Sequence, residues 1–216
     1  MTRSAALPAR VLLATRNEGK RRELVALLEP LGVNVLSLAG AGIPAAPEED
    51  DLERFETFEE NALAKARYFF SRSGMPTLAD DSGLAVDALG GRPGVHSKRY
   101  SGRADLQGRE LDAANNATLM SALAGVSARG ARFVSVAAFV DGRRELMRRG
   151  EIEGRMLEAP RGSGGFGYDP YFYSTELGRT LAEVGVPEKG VVSHRGRALR
   201  ALCDALLEVS ENVAGH

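Results

Sequence analysis

Two adjacent carboxylates, Asp80-Asp81, are the residues of this 216-residue chain whose types and spacing most directly imply chemistry. They follow Pro76-Thr77-Leu78-Ala79 and precede Ser82-Gly83, a placement that predicts a strand end, with the two side chains on opposite sides of the backbone. Charges so close repel unless a cation, or a raised pKa in one partner, relieves them. A hard divalent cation such as Mg²⁺ takes one or two carboxylates together with substrate phosphates, so the pair suits metal-assisted phosphate chemistry. An Asp-Ser-Gly turn would need only one aspartate and leaves the second unexplained.

Lysine is the second signal. Of 28 basic residues only four are lysine, Lys20, Lys65, Lys98 and Lys189. The compact ammonium is a point-charge ligand for phosphate and is not interchangeable with a guanidinium. Lys20 closes the segment Val11–Lys20, where an apolar run passes through Thr15-Arg16-Asn17-Glu18-Gly19 into helical spacing. Such a strand–turn–helix gathers backbone N–H groups and the positive end of a helix dipole about an anion. It is not a P-loop, because Ala14 and Arg21 stand where the first glycine and the metal-binding Ser/Thr belong. Lys65 follows Asn61 by one turn in a segment opened by the capping-box pair Thr57 and Glu60. It borders the apolar stripe, so it either snorkels or points its charge into a cleft. The acidic run Glu48–Glu53 upstream reads by default as a solvated loop.

Gly162-Ser163-Gly164-Gly165-Phe166-Gly167-Tyr168-Asp169-Pro170 contains a superficial G-x-G-x-x-G. The aromatic run Tyr171-Phe172-Tyr173 follows it instead of a helix, which excludes a dinucleotide fingerprint. A loop presenting one phenylalanine suits stacking on a flat base, and Phe166 could equally be core. Ser193 reads as a helix N-cap, placing His194 and Arg195 in the first turn, where cations oppose the dipole and an external anion or ligand is implied.

The elements that must position these residues follow from periodicity. Strands are expected at 10–15, 33–38, 76–80 and 84–88, and helices at 19–31, 57–72 and 105–124, the last with Leu111, Ala114, Thr118, Leu119 and Ala122 inward. Arg132–Val140 and Arg143–Leu157 flank Asp141-Gly142, a hairpin signal, and the first of these strands reads as buried on both faces. Alternating helices and strands followed by a long hairpin predict an α/β fold with a mixed sheet.

In order and spacing, Thr15–Lys20, Phe58–Ala62 with Lys65-Ala66, Asp80–Leu84, Gly165–Pro170 and Ser193–Gly196 resemble the inosine/xanthosine triphosphate pyrophosphatase family, from about Val11 to Leu207. The resemblance implies an elongated mixed β-sheet with flanking helices, two lobes around a central cleft, and a single domain over 1–216 with residues 1–9 as a flexible tail. It implies a homodimeric, Mg²⁺-dependent hydrolase that splits ITP, dITP and XTP into nucleoside monophosphate and pyrophosphate, cleansing the nucleotide pool. Asp81 would be the general base, and Glu53, Asp80 and Asp81 the metal ligands. Thr15, Arg16, Asn17, Glu18, Gly19, Lys20, Lys65 and Ser82 would bind the phosphates and ribose. Phe166, Gly167, Tyr168, Asp169, Lys189, His194 and Arg195 would bind the base. Val95-His96-Ser97-Lys98 departs from the family pattern and leaves the roles of His96 and Lys98 open. A non-catalytic nucleotide-binding regulator, or a relative acting on other modified nucleotides, is the alternative.

A net charge of −1 gives no general attraction to nucleic acid or to anionic membrane, so polyphosphate binding must rest on local lysines and metal. Met1–Arg10 lacks an apolar signal region and no stretch reaches transmembrane length, which predicts a cytoplasmic protein. Cys203, the single cysteine, falls at an apolar position of the last helix and reads as core.

Overall fold

The structure is a computed structural model that describes residues 7–214, with side chains through Glu208. Strand β1 (Arg10–Leu13) leads into α1 (Glu18–Leu28), whose first turn is capped by Asn17, its Oδ1 accepting from the Lys20 N–H at 3.0 Å. After a short 3-10 turn, Gly32 at φ +74° redirects the chain into β2 (Asn34–Ser37). The acidic run expected as a loop instead forms a 3-10 helix over Pro47–Glu53. Helix α2 (Phe58–Ser73) begins at the capping pair: the Thr57 Oγ1 accepts from the Glu60 N–H at 3.2 Å and donates to the Glu60 carboxylate at 2.6 Å.

Next comes β3 (Thr77–Val86), and here the structure corrects the sequence reading. The strand does not end at Asp80-Asp81. It runs through them as one buried ten-residue element, so the expected pair of strands at 76–80 and 84–88 is a single one. Helix α3 (Gly108–Ala122) precedes β4 (Gly130–Val140) and β5 (Glu145–Met156), which are joined at Asp141. There the Asp141 carboxylate accepts from the N–H groups of Arg143 and Arg144, at 3.0 and 2.8 Å, and closes the turn. β6 (Phe172–Ser174), β7 (Arg179–Thr180), α4 (Val186–Val192) and α5 (His194–Ala214) complete the chain.

The strands form one sheet in the order β2-β1-β3-β4-β5-β6-β7. β2 and β3 each pair with β1 in parallel, whereas β5–β6 and β6–β7 are antiparallel, so the sheet is mixed as expected. The register Leu12 to Thr77 and Leu13 to Leu78 aligns the polar turn after β1 with the residues that lead into Asp80.

The chain comprises two compact units. The first draws on residues up to Asp81, Ser135–Gly150 and residues from Arg195 onward, and the second on Ser82–Val134 and Glu151–His194. In the first, Leu13, Leu24, Leu78, Phe139, Leu199 and Leu202 form the core, and Cys203 lies within it, its thiol pushed up to about 11 by burial. In the second, Leu84, Leu119, Phe133, Ile152, Met156 and Phe172 do so. Of the residues expected inward on α3, Leu119 is buried and Leu111, Ala114 and Thr118 are half-buried. Ala122 is exposed, and Asn115, Asn116, Leu119 and Leu123 face inward, because the two asparagines satisfy loop backbone that would otherwise be stranded.

Of the tail expected at 1–9, residues 1–6 lie outside the described residues. Leu7 packs against the first core, and the Ala9 carbonyl accepts from the Asn34 N–H at 2.9 Å. Among the described residues no helix is long and apolar enough to cross a membrane.

Candidate functional site

Because β3 is covered on both faces, its alternation gives Asp80 and Asp81 different nearest side-chain partners. Asp80 is 1% exposed; its Oδ2 lies 3.3 Å from the Lys20 Nζ of α1 and 3.1 Å from the Arg195 Nε of α5. Arg195 in turn pairs through Nη1 with Glu23 of α1. Asp81, 5% exposed, accepts at Oδ2 from the Asn61 Nδ2 of α2 at 3.1 Å, and its Oδ1 lies 3.5 Å from the Lys65 Nζ. Lys65 also donates to the Glu53 carboxylate at 2.7 Å and to the Asp80 carbonyl at 2.5 Å.

Each ionisation state has an identifiable cause. Burial pushes Asp80 upward, but Lys20, Arg195 and Lys65 outweigh it and hold this carboxyl well below its ordinary range. Asp81 goes the other way: burial raises it, with Glu53 and Asp80 adding to the rise against Lys65 and Lys20. The two adjacent carboxylates are thus shifted in opposite directions, Asp80 downward and Asp81 upward. Burial lowers Lys20, with Asp80 opposing, whereas for Lys65 the effect of burial is overcome by Glu53, Asp81 and Asp80, which hold it above its usual value.

Asn61 links this pair to the acidic segment. Its Oδ1 accepts from the Phe55 N–H at 2.9 Å while its Nδ2 donates to the Phe55 carbonyl at 3.2 Å, so the amide that orients Asp81 also anchors the chain two residues after Glu53. Arg16 anchors the other end of that segment. Its guanidinium donates to the carbonyls of Ile43 and Pro44, at 3.1 and 2.9 Å, and to both oxygens of Glu49. Arg16 thereby ties down the loop that carries Glu53, and Glu18 pairs with Arg21 at 2.8 Å. Thr15 holds the turn, its Oγ1 accepting from the Asn17 N–H at 3.1 Å. What the Thr15–Lys20 segment presents at the start of the 11-residue α1 is backbone N–H and the Lys20 charge.

Among the described residues no group of three or more His, Cys, Asp or Glu is arranged to hold a metal ion. A site of one or two carboxylates completed by phosphate oxygens is a different arrangement, and the residues fit it. Glu53 and Asp81 converge on one cation, Lys65, and the buried Asp80 Oδ1 has no hydrogen-bond partner. Charge balance supports the same fit. Lys20, Lys65 and Arg195 face Glu23, Glu53, Asp80 and Asp81, three cations against four carboxylates, so the set alone cannot neutralise a polyphosphate.

The second unit gathers the remaining candidates. Asp169, 3% exposed, accepts at Oδ2 from Lys189 and from the Phe166 N–H at 2.9 Å, and the Lys189 Nζ stands 5.1 Å from the Phe166 ring centroid. Gly165 is required here: its φ is +69°, and a Cβ would collide with the Asp169 carboxylate. The Tyr168 hydroxyl donates to the Ser97 carbonyl at 2.8 Å, a structural bond, and burial pushes its pKa upward. His194 is buried and stacks on Phe133 with centroids 4.8 Å apart. Ser82 is half-buried beside Asp81 in sequence. Ser97 Oγ accepts from the Leu84 N–H at 2.8 Å and donates to the Gly94 carbonyl, giving the Val95–Lys98 segment a structural role at Ser97.

Arg195 lies in the first turn of α5, as the sequence suggested, with its Nε bonded to Asp80 and its Nη1 to Glu23. Glu23 was not legible as a site residue, although its place between Lys20 and the apolar Leu24, Leu27 and Leu28 marks it as a carboxylate at a buried helix position. Asp112 and Asn116 of α3, which hold Gly167, were also missed, because nothing local in their segment distinguishes them from surface polar residues.

Comparison with known proteins gives consistent results. The Ham1 family model matches residues 11–205. A dITP/XTP pyrophosphatase of Thermus thermophilus is 50% identical over 200 residues, covering 91% of each chain. The dITP/XTP pyrophosphatase of Ralstonia nicotianae is 48% identical over 200 residues, 91% of this chain and 96% of that one. Among solved structures, a HAM1 protein from Coxiella burnetii superposes with a TM-score of 0.77 at 38% identity, over 92% of this chain and 98% of the other.

Proposed function

The chain belongs to the Ham1 family, and from that premise we propose that it hydrolyses deaminated purine nucleoside triphosphates, ITP, dITP and XTP, to the nucleoside monophosphate and pyrophosphate. The observation that carries the reading is the divided aspartate pair: Asp80 fixed as a charge between Lys20 and Arg195, and Asp81 raised and oriented by Asn61.

In this reading Asp81 takes a proton from water as the oxygen attacks the α-phosphorus. The bond from the α-phosphorus to the oxygen bridging to the β-phosphate breaks, and pyrophosphate leaves with the electron pair. Lys20 and Lys65 hold the phosphate oxygens and meet the charge that develops on the leaving group, supported by the backbone of Thr15–Gly19 and by Asn17. Ser82 contacts phosphate or ribose. Glu53 with one or both of Asp80 and Asp81 would hold Mg²⁺, which would supply Lewis-acid polarisation of the phosphates when bound. Phe166 provides a face for the base, with Lys189 and His194 supplying polar groups toward its edge, while Gly167, Tyr168 and Asp169 shape the loop. A homodimer in the cytoplasm completes the proposal and rests on the family resemblance.

Purified protein incubated with ITP and Mg²⁺ is expected to release IMP and pyrophosphate one for one, with no orthophosphate, and EDTA is expected to abolish release. Tight ITP binding without turnover would instead establish the regulator. Orthophosphate with IDP would place the attack on the γ-phosphorus and overturn the role given to Asp81.

A further inference from the structure

The loop that carries Phe166 is built to be mobile unless it is held from outside. Gly165 and Gly167 lie in the left-handed region, at φ +69° and +60°, and such positions give the backbone between them wide conformational freedom. The chain just beyond is fixed independently, since Tyr168 is part of the second unit's core and bonds Ser97. On the Phe166 side, Asp169 accepts from the Phe166 N–H at 2.9 Å and donates its own N–H to the Phe166 carbonyl at 3.2 Å, and α3 holds the next residue. The Asp112 Oδ2 accepts from the Gly167 N–H at 2.8 Å, and the Asn116 Nδ2 donates to the Gly167 carbonyl at 2.9 Å. Spacing of four places both side chains on one helix face, and the Asn116 Nδ2 also bonds the Asp112 carbonyl at 2.8 Å. One residue is thereby held through both its N–H and its C=O, which belong to the two successive peptides that flank its Cα. Because the Asp112 bond is charge-assisted, it is the stronger of the two.

We propose that Asp112 and Asn116 are positioning residues for base recognition: by clamping Gly167 through its N–H and C=O they fix the pose of the Phe166 ring beneath the Lys189 ammonium that Asp169 holds. Neither side chain touches the nucleotide. The proposal rests on the reading of Phe166 as the base platform, and the reading and the clamp fail in different ways.

Two measurements test it. In kinetics, Asp112→Ala is expected to raise KM for ITP by ~10-fold and to lower the ITP/ATP ratio of kcat/KM by a similar factor, leaving kcat for ITP within about twofold, on the scale of losing one charge-assisted bond. Asn116→Ala is expected to act in the same direction but less, and Asp112→Asn, which keeps an acceptor for the Gly167 N–H, is expected to recover most of the loss. In spectroscopy, Phe166→Trp introduces the only tryptophan of the chain. Its steady-state anisotropy without nucleotide is expected to fall when Asp112→Ala is added and to recover with Asp112→Asn. An unchanged anisotropy overturns the clamp whatever the kinetics. A fall in anisotropy with an unchanged ITP/ATP ratio overturns the base-platform reading and, with it, the role in recognition. Equal losses of kcat for ITP and ATP with the ratio preserved would mark Asp112 as a general structural support and also overturn the proposal.

Discussion

Asp81→Asn is expected to lower kcat for ITP by at least ~10²-fold while leaving the fold and nucleotide binding largely intact, the low end for loss of a general base. The substitution is nearly isosteric, and the Asn61 Nδ2 that bonds the Asp81 Oδ2 at 3.1 Å can bond an amide oxygen equally well. What the asparagine lacks is the proton-accepting oxygen that burial, Glu53 and Asp80 make more basic than an ordinary aspartate. It also removes one negative charge from a set of four carboxylates and three cations, which favours binding of the triphosphate. The signature is therefore a large fall in kcat with KM unchanged or lower. Near-normal kcat at saturating Mg²⁺ would remove Asp81 from the chemistry.

Arg195→Met is expected to cost stability first. Arg195 is 2% exposed, and its loss leaves Glu23 without its Arg195 partner and Asp80 with Lys20 as its remaining close cation at 3.3 Å. Removing one partner of a buried ion pair costs about 3–5 kcal/mol, which for a chain of this size corresponds to a fall in Tm of roughly 6–20 °C. Activity toward ITP and ATP should fall together, because Asp80 loses the guanidinium that helps keep it ionised. Adding Glu23→Met should regain part of the stability by removing one of the two carboxylates affected. A stable Arg195→Met enzyme whose ITP/ATP ratio collapses would restore the base-reading role that the sequence suggested.

The partners of Arg195 show where sequence reasoning stops. They lie 115 and 172 positions earlier in the chain, and no local pattern reports a contact at that separation. Local signals transferred well: Asn17 caps α1, Thr57 and Glu60 cap α2, and Asp141 closes the hairpin, because each is a bond between residues two or three apart. Asp80-Asp81 lies between these cases. Its chemistry was legible from two like charges side by side, but a strand end was inferred because charge and Ser-Gly ordinarily stop a strand. β3 continues because helices on both faces bring Lys20, Arg195, Asn61 and Lys65 to the two carboxylates, so neither charge needs solvent. On α3 the buried Leu119 was legible, but Asn115 and Asn116 were not, because they are buried in order to satisfy loop backbone, which hydrophobic periodicity cannot register.

Selection among purines tests the proposed function most directly. A 6-oxo purine presents an acceptor at O6 where adenine presents an amino donor, so polar donors arranged for the first are left unsatisfied by the second, a source of large discrimination. The measurement is kcat/KM for ITP, XTP and ATP with the purified protein in Mg²⁺. ITP and XTP are expected to exceed ATP by ~10²-fold or more; a ratio near one would contradict an enzyme that removes deaminated purines.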